Sequence, residues 1–182
     1  KQIAHYSSIK PNNKKLTKKE FLIHKKRNNR TKDYIDKASK QIIKIAIENE
    51  TSEIIIGYNY NFKTTSLNLK KANQLFKEIP LSKFKELIIS KARKYSIKTS
   101  TINESYTSLC SFYDNEDIKF HYKYQGTRIS RGLFKTKNGI IVNADINAAL
   151  NILKKSKPER TDILSFLRNS GQAMPCRLKV IL

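Results

Sequence analysis

Two carboxylates, Glu104 and Asp145, each stand where a fold can present an acid. Glu104 opens the run Glu104-Ser105-Tyr106-Thr107-Ser108, following the β-rich stretch Ile97 to Ile102. Asp145 lies in Asn143-Ala144-Asp145-Ile146-Asn147-Ala148-Ala149, where an apolar-periodic helix begins. A strand end and a helix start can meet at one edge of a sheet. Paired carboxylates at such an edge suit a metal-dependent phosphodiesterase, because hard divalent cations take oxygen ligands beside the scissile phosphate. Each acid also has an ordinary reading. Glu104 is then an acidic residue at a strand end. Asp145 is then a helix N-cap that accepts from an orphan amide near the positive end of the dipole.

Around the two acids lie groups that could touch a nucleic acid. Ser105, Thr107 and Ser108 could bind phosphate or support Glu104, or could simply satisfy a turn. The stretch 112–134 interleaves Phe112, Tyr113, Phe120, Tyr122, Tyr124 and Phe134 with Arg128 and Arg131. It reads as a surface where rings stack on bases and arginines pair phosphates, or as a hydrophobic lid over the sheet edge. Residues 10–32 form a basic arm whose Lys14, Lys15, Lys25, Lys26, Arg27 and Arg30 are candidates for backbone contact. Cys110 with His121 is a Cys/His pair in type, but a lone cysteine is more often an inert packing residue.

The chain has 37 Lys and Arg against 15 Asp and Glu, a formal charge of +22. Such an excess calls for a polyanionic partner, nucleic acid first and an anionic membrane surface second. An AT-rich genome would inflate Lys, Asn and Ile together, yet it does not account for the scarcity of acids. No apolar run approaches the roughly 20 residues of a spanning helix, and no signal peptide opens the sequence. Two cysteines and three scattered histidines provide neither a disulfide framework nor zinc-ligand spacing. A reducing, cytoplasmic setting is expected.

The elements that must position these residues follow from periodicity. Residues 1–9 suggest a strand tail. Residues 10–32 are a solvated arm or the polar start of a long helix. Residues 33–50 are helical, with Ile35, Ala38, Ile42, Ile45 and Ala46 on one face. Ile54-Ile55-Ile56 reads as a strand buried on both faces, and residues 59–78 as a loop. Pro80 starts a helix whose Phe84, Leu87, Ile88, Ala92 and Tyr95 share a side. Asn138-Gly139 predicts a turn between short strands at 132–136 and 140–143. The last helix starts near Asp145 and buries Ile146, Ala149, Leu150 and Leu153. A polar segment follows, and Arg177 to Leu182 is either a strand or a loose end. The fold class is α/β.

Taken together, Glu104-Ser105-Tyr106-Thr107-Ser108, Cys110-Ser111-Phe112, Arg131-Gly132-Leu133-Phe134 and Asn143-Ala144-Asp145-Ile146-Asn147-Ala148-Ala149-Leu150-Asn151-Ile152 resemble the C-terminal part of OrfB/TnpB proteins. Insertion sequences encode these proteins beside or in place of a transposase. The resemblance implies an RNA-guided DNA endonuclease with a RuvC-like, ribonuclease-H-like domain, related to type V CRISPR effectors and to transposition. By motif match, Glu104 stands at the second catalytic acid and Asp145 at the third, both as magnesium ligands. Tyr106 and Thr107 would buttress the first of these, and Asn147 would lie near the other. DNA and a guide RNA are the implied partners, and use at the prokaryotic nucleoid follows.

Two departures from the family matter. Phe112-Tyr113-Asp114-Asn115 stands where many members place a Cys-x-x-Cys, so a degenerate, zinc-free ribbon is expected over 109–139. No residues match the Gly-Ile-Asp-x-Gly strand that carries the family's first acid, so the sequence reads as beginning just after it. The expected organisation is a strand remnant and basic arm at 1–32, a partial RuvC-like domain at 33–155 and a tail at 156–182. Residues 1–182 alone are then expected to be inactive. The alternatives are a catalytically dead nucleic-acid-binding remnant, repressor-like in use, and a basic structural or ribosome-associated protein.

Overall fold

The computed structural model describes residues 17–59 and 80–169. Thr17 opens it with a capping box. The Glu20 amide donates to the Thr17 hydroxyl at 3.3 Å, and the Thr17 amide donates to the Glu20 carboxylate at 2.8 Å. This arrangement closes orphan groups at the start of helix α1, Lys18–Glu48. Neither Pro nor Gly occurs between 18 and 48, so nothing breaks the helix. The described part of the basic arm and the 33–50 helix are therefore one element, the long-helix reading of the two left open by sequence. Its buried residues in the second half are Ile35, Ser39, Ile43 and Ala46. Ala38 and Ile45, expected in the stripe, are only half-buried, and Ser39 and Ile43 take the buried positions beside them. The Lys91 ammonium donates to the Asp36 carbonyl, the Asp36 carboxylate and the Ser39 hydroxyl at 2.8, 2.8 and 2.6 Å.

Strand β1, Glu53–Tyr58, pairs in parallel with β2, Lys98–Asn103, in the register Glu53 opposite Lys98 through Tyr58 opposite Asn103. Helix α2, Leu81–Arg93, lies between them in the chain, as a parallel crossover requires. Helices α1 and α2 cover one face. Ile43, Ala46, Ile88, Ala92 and Ile97 form that core, joined by Ile54, Ile56 and Phe84. Tyr95, expected on the buried side of α2, is exposed, because the helix ends at Arg93 and its periodicity stops there.

A second sheet has the antiparallel order β3-β4-β5: Thr127–Ser130, Leu133–Lys135 and Ile141–Asn143. The expected turn joins β4 and β5. Gly139 takes φ +82°, and its amide donates to the Thr136 carbonyl at 3.0 Å. A glycine suits that left-handed position. Phe134, Val142 and Ala144 make a small core with Tyr113. Helix α3, Ala144–Ser156, then packs on β1, and α4, Thr161–Asn169, follows with Leu164 buried. The segment after Lys155, expected to be merely polar, thus contains a helix. The architecture is mixed α/β, and no described helix is long and apolar enough to cross a membrane. Lys14, Lys15, most of the 59–78 loop, and the terminal run fall outside the described residues.

Candidate functional site

Glu104 leaves the C-terminal end of β2 and enters a tight turn. The Thr107 amide and hydroxyl both donate to the Glu104 carbonyl, at 3.1 and 2.7 Å. The Ser105 amide and hydroxyl both donate to the Asn103 side chain, at 2.8 and 2.6 Å. Tyr106 takes φ +68°, left-handed for a non-glycine residue. Ser105 and Thr107 therefore serve the turn, the ordinary reading of that cluster. The Glu104 carboxylate reaches β1 beside Gly57. A Cβ built on Gly57 would stand 3.3 Å from Glu104 Oε2 and 2.5 Å from Ile152 Cδ1 of α3. Gly57 is the bare spot where β1, α3 and Glu104 converge.

Asp145 is not the helix cap. Asn143 is: its side-chain oxygen accepts from the Asp145 and Ile146 amides at 2.9 and 3.0 Å. Asp145 sits in the first turn with its side chain 85% exposed, and Arg128 of β3 approaches it at 4.0 Å. The direction of α3 relates the two acids. Lys157, just past its end, pairs with Glu53 at the start of β1 at 2.9 Å, whereas Ile152 meets Gly57 near the end of β1. Helix and strand are antiparallel. The start of α3, with Asp145, therefore projects beyond the C-terminal end of β1, the end at which Glu104 stands. Seven residues separate Asp145 from Ile152, about 10 Å of helix rise. Among the described residues, no three His, Cys, Asp or Glu side chains gather as a metal site.

Helix α3 also holds the loop that Glu104 begins. Asn147 accepts from the Phe112 amide at 3.0 Å and donates to the Cys110 carbonyl at 2.9 Å. Asn151 donates to the Cys110 and Thr107 carbonyls at 2.7 and 2.9 Å. Lys155 donates to the Ser105 carbonyl at 3.3 Å. Three residues spaced by four thus grip residues 105–112. The buried residues of α3 are Ala144, Asn147 and Asn151, not the expected Ile146, Ala149, Leu150 and Leu153. An irregular loop has carbonyls and amides that need partners, and an asparagine offers both kinds. Two asparagines inside a helix, where they are poor formers, were the available signal.

The rest of the insertion is closed by side chains. Glu116, buried, accepts from the Ser111 and Gln125 amides at 2.8 and 2.9 Å. Asp114 accepts from the Ser111 hydroxyl at 2.6 Å and the Lys137 amide at 2.9 Å. Cys110 is fully buried and donates to the Asp117 carbonyl at 3.3 Å, and burial pushes its thiol up. His121 bonds to the same carbonyl at 2.8 Å. A protonated, enclosed thiol packs and does not attack.

The aromatic stretch divides into two sets. Phe112 and Phe134 are fully buried. Tyr106, Phe120 and Tyr122 form an exposed row with edge contacts at 6.5 and 5.2 Å. Tyr122 is open to solvent, whereas Tyr124 is half-buried against His121 at 5.4 Å. Arg128 and Arg131 are exposed, as are Lys25, Lys26 and Arg30 on α1, while Arg27 is half-buried and bonds to Asn28 at 3.1 and 3.2 Å. The place of Tyr106 in this row was not evident from the sequence.

Two family models match the chain. One, described as the Cas12f1-like TNB domain, covers residues 82–152, from α2 through Glu104 and the insertion into α3. The other, OrfB_IS605, described as "Probable transposase", covers residues 1–63. Direct comparison with curated proteins gives no match.

Proposed function

We propose, on the premise that this chain belongs to the OrfB/TnpB-type insertion-sequence proteins, that it is the RuvC-like portion of a guided DNA endonuclease. Glu104 and Asp145 are two of its metal-holding acids in this reading, and the domain is ribonuclease-H-like. The supporting observation is their common frame. Both stand toward the C-terminal end of β1, and α3 carries Asp145 while gripping the Glu104 loop. Carboxylate oxygens are the donors that magnesium takes, and bound magnesium would supply charge stabilisation at the scissile phosphate. The chain's own residues do the rest. Gly57 leaves room for the Glu104 carboxylate. The row Tyr106, Phe120 and Tyr122 offers ring faces to unpaired bases, and Arg128, Arg131 and the lysines of α1 offer charge to phosphates. DNA and a guide RNA are the proposed partners. No residues here match the Gly-Ile-Asp-x-Gly motif, so residues 1–182 hold two acids of three and are proposed not to cleave alone.

The test has two parts. Manganese, as a paramagnetic stand-in for magnesium, should broaden the amide signals around Glu104 and Asp145 and do so less in Glu104→Gln and Asp145→Asn. In a protein extended to include the Gly-Ile-Asp strand and given guide RNA, each substitution should abolish cutting and leave RNA binding intact. Cutting at the parent rate by either variant rejects that residue as a ligand. The second reading is a catalytically dead nucleic-acid-binding protein, favoured by the approach of the Arg128 cation to Asp145. It predicts no localised broadening and no guided cutting by the extended protein.

A further inference from the structure

Between α3 and α4, against the turn at 115–118, lies a cleft of about 440 Å³. Lys154 and Lys155 line it from the end of α3 and Arg168 from α4, with the Thr161 and Ser165 side chains beside them. Among the described residues, none of the three cations has a carboxylate within 4 Å. Their bonds go to neutral oxygens. Lys154 donates to the Glu116 carbonyl at 2.8 Å and Lys155 to the Ser105 carbonyl at 3.3 Å. Arg168 donates to the Phe112 carbonyl at 3.3 Å and the Asn115 side chain at 2.7 Å. The nearby acids are already engaged. Asp117, also in the lining, pairs with Lys119 at 3.0 Å, and Glu116 holds two backbone amides.

This arrangement is costly for the folded chain by itself. Lys154 is partly enclosed, and burial, then the charge of Arg168, pushes its ammonium below the ordinary lysine range. Three cations face one cleft whose lining carries a single carboxylate, Asp117, which already pairs with Lys119. An oxyanion there would supply the counter-charge, with ammonium groups as point donors and a guanidinium as a fork. Polynucleotide is the source that matches a chain of formal charge +22.

We propose that the α3–α4 cleft is a phosphate-binding site that takes a phosphodiester of a nucleic-acid strand on Lys154, Lys155 and Arg168. The site requires no role for Glu104 or Asp145, so it stands or falls apart from the metal reading. Through its bond to the Ser105 carbonyl, Lys155 ties the anchor to the loop that Glu104 begins.

The test uses the whole chain with two probes, inorganic phosphate and a short single-stranded oligothymidylate, followed by amide and lysine side-chain NMR. Both probes should give saturable shifts at Asn115, Thr161 and Ser165, and bound phosphate should raise the pH at which Lys154 titrates. Lys154→Gln and Arg168→Gln should each weaken phosphate binding about tenfold, the scale of one charge-assisted hydrogen bond. Lys137→Gln, remote in sequence and exposed, should leave it unchanged. Non-saturating shifts, equal loss in Lys137→Gln, or an unmoved Lys154 titration would overturn the site. If only inorganic phosphate binding falls in the variants, the nucleic-acid part of the proposal is overturned. The Lys154 titration is read in the unmodified chain, so it decides the matter even if Arg168→Gln does not fold.

Discussion

Asn147→Ala should destabilise the fold by about 3 kcal/mol, and Asn151→Ala by only about 1–2 kcal/mol, although both side chains are fully buried on one face of α3. The difference lies in what each truncation leaves behind. Asn147 is the acceptor for the Phe112 amide. Without it a buried N–H is stranded, at a cost of about 1–3 kcal/mol. The lost Asn147 donor and the small cavity add to this, and the better helix propensity of alanine returns about 0.6 kcal/mol. The Cys110 carbonyl is not stranded, because Asn151 still donates to it at 2.7 Å. Asn151→Ala, by contrast, strands no donor. It frees the Thr107 carbonyl, and an under-satisfied carbonyl is tolerated better than an orphan amide. It also deletes Asn151 Oδ1, a buried oxygen that has no partner in the parent.

The assay is urea unfolding followed by circular dichroism and by tyrosine fluorescence, since the chain has no tryptophan. Coincident transitions and an unchanged slope are required before midpoints are converted to free energies. Amide exchange at Phe112 supplies a local readout and should accelerate in Asn147→Ala beyond what global destabilisation explains. A cost for Asn151→Ala equal to or above that for Asn147→Ala would refute the reasoning. So would a cost below about 1 kcal/mol for Asn147→Ala, since a stranded buried amide should exceed it.

Three further outcomes are expected. Gly57→Val should force Ile152 aside and displace the Glu104 carboxylate, lowering thermal stability and weakening manganese binding; Val at 57 with metal binding intact would show that the bare strand position is not needed. Asp36 is held from the usual 3.8 down to about 2, first by the Lys91 hydrogen bond and then by that of Lys40. A lowered folded value means the contact contributes fully above pH 3.8 and is lost as pH falls through about 2. Lys91→Gln should therefore flatten the acid limb of the stability curve over that window, and superimposable curves would reject the assignment. Single-stranded oligonucleotide binding should weaken steeply with salt. Charge reversal at Lys25, Lys26 and Arg30 should lower that slope, whereas Tyr122→Ala should weaken binding by about 1–3 kcal/mol at constant slope. Tyr124→Ala should matter less, because His121 and the surrounding loop already cover that ring; a larger effect at Tyr124 than at Tyr122 would contradict the exposed-row reading.

Legibility in the sequence followed locality. The run Ile54-Ile55-Ile56 announced β1 because β-branched residues without polar alternation have few other uses. Asn138-Gly139 announced its turn because the left-handed position needs glycine. β3 stayed hidden because all four of its residues, Thr127 to Ser130, are exposed and show no alternation. α4 stayed hidden because Leu164 is its only buried residue. The sequence left Asp145 open to the reading of an α3 cap because aspartate is a favoured cap residue. Only the backbone geometry shows that the amides of 145 and 146 point at Asn143.

The candidate site was legible as residue types and illegible as a meeting place, and the reason is visible in two residues that suit their own elements poorly. Gly57 weakens a strand, since it forgoes a packing side chain and adds backbone entropy. Asn151 weakens a helix, since its amide competes with the backbone and its oxygen is left without a partner. Judged by local propensity, either position would be better filled by alanine or a branched residue. Both choices become sensible in the folded chain: the glycine admits Ile152 of α3 first and the Glu104 carboxylate second beside β1, and the asparagine holds the Thr107 and Cys110 carbonyls of the Glu104 loop. Strand and helix thus depart from local propensity where they meet each other and this loop, and the contacts there fix where Glu104 leaves β2.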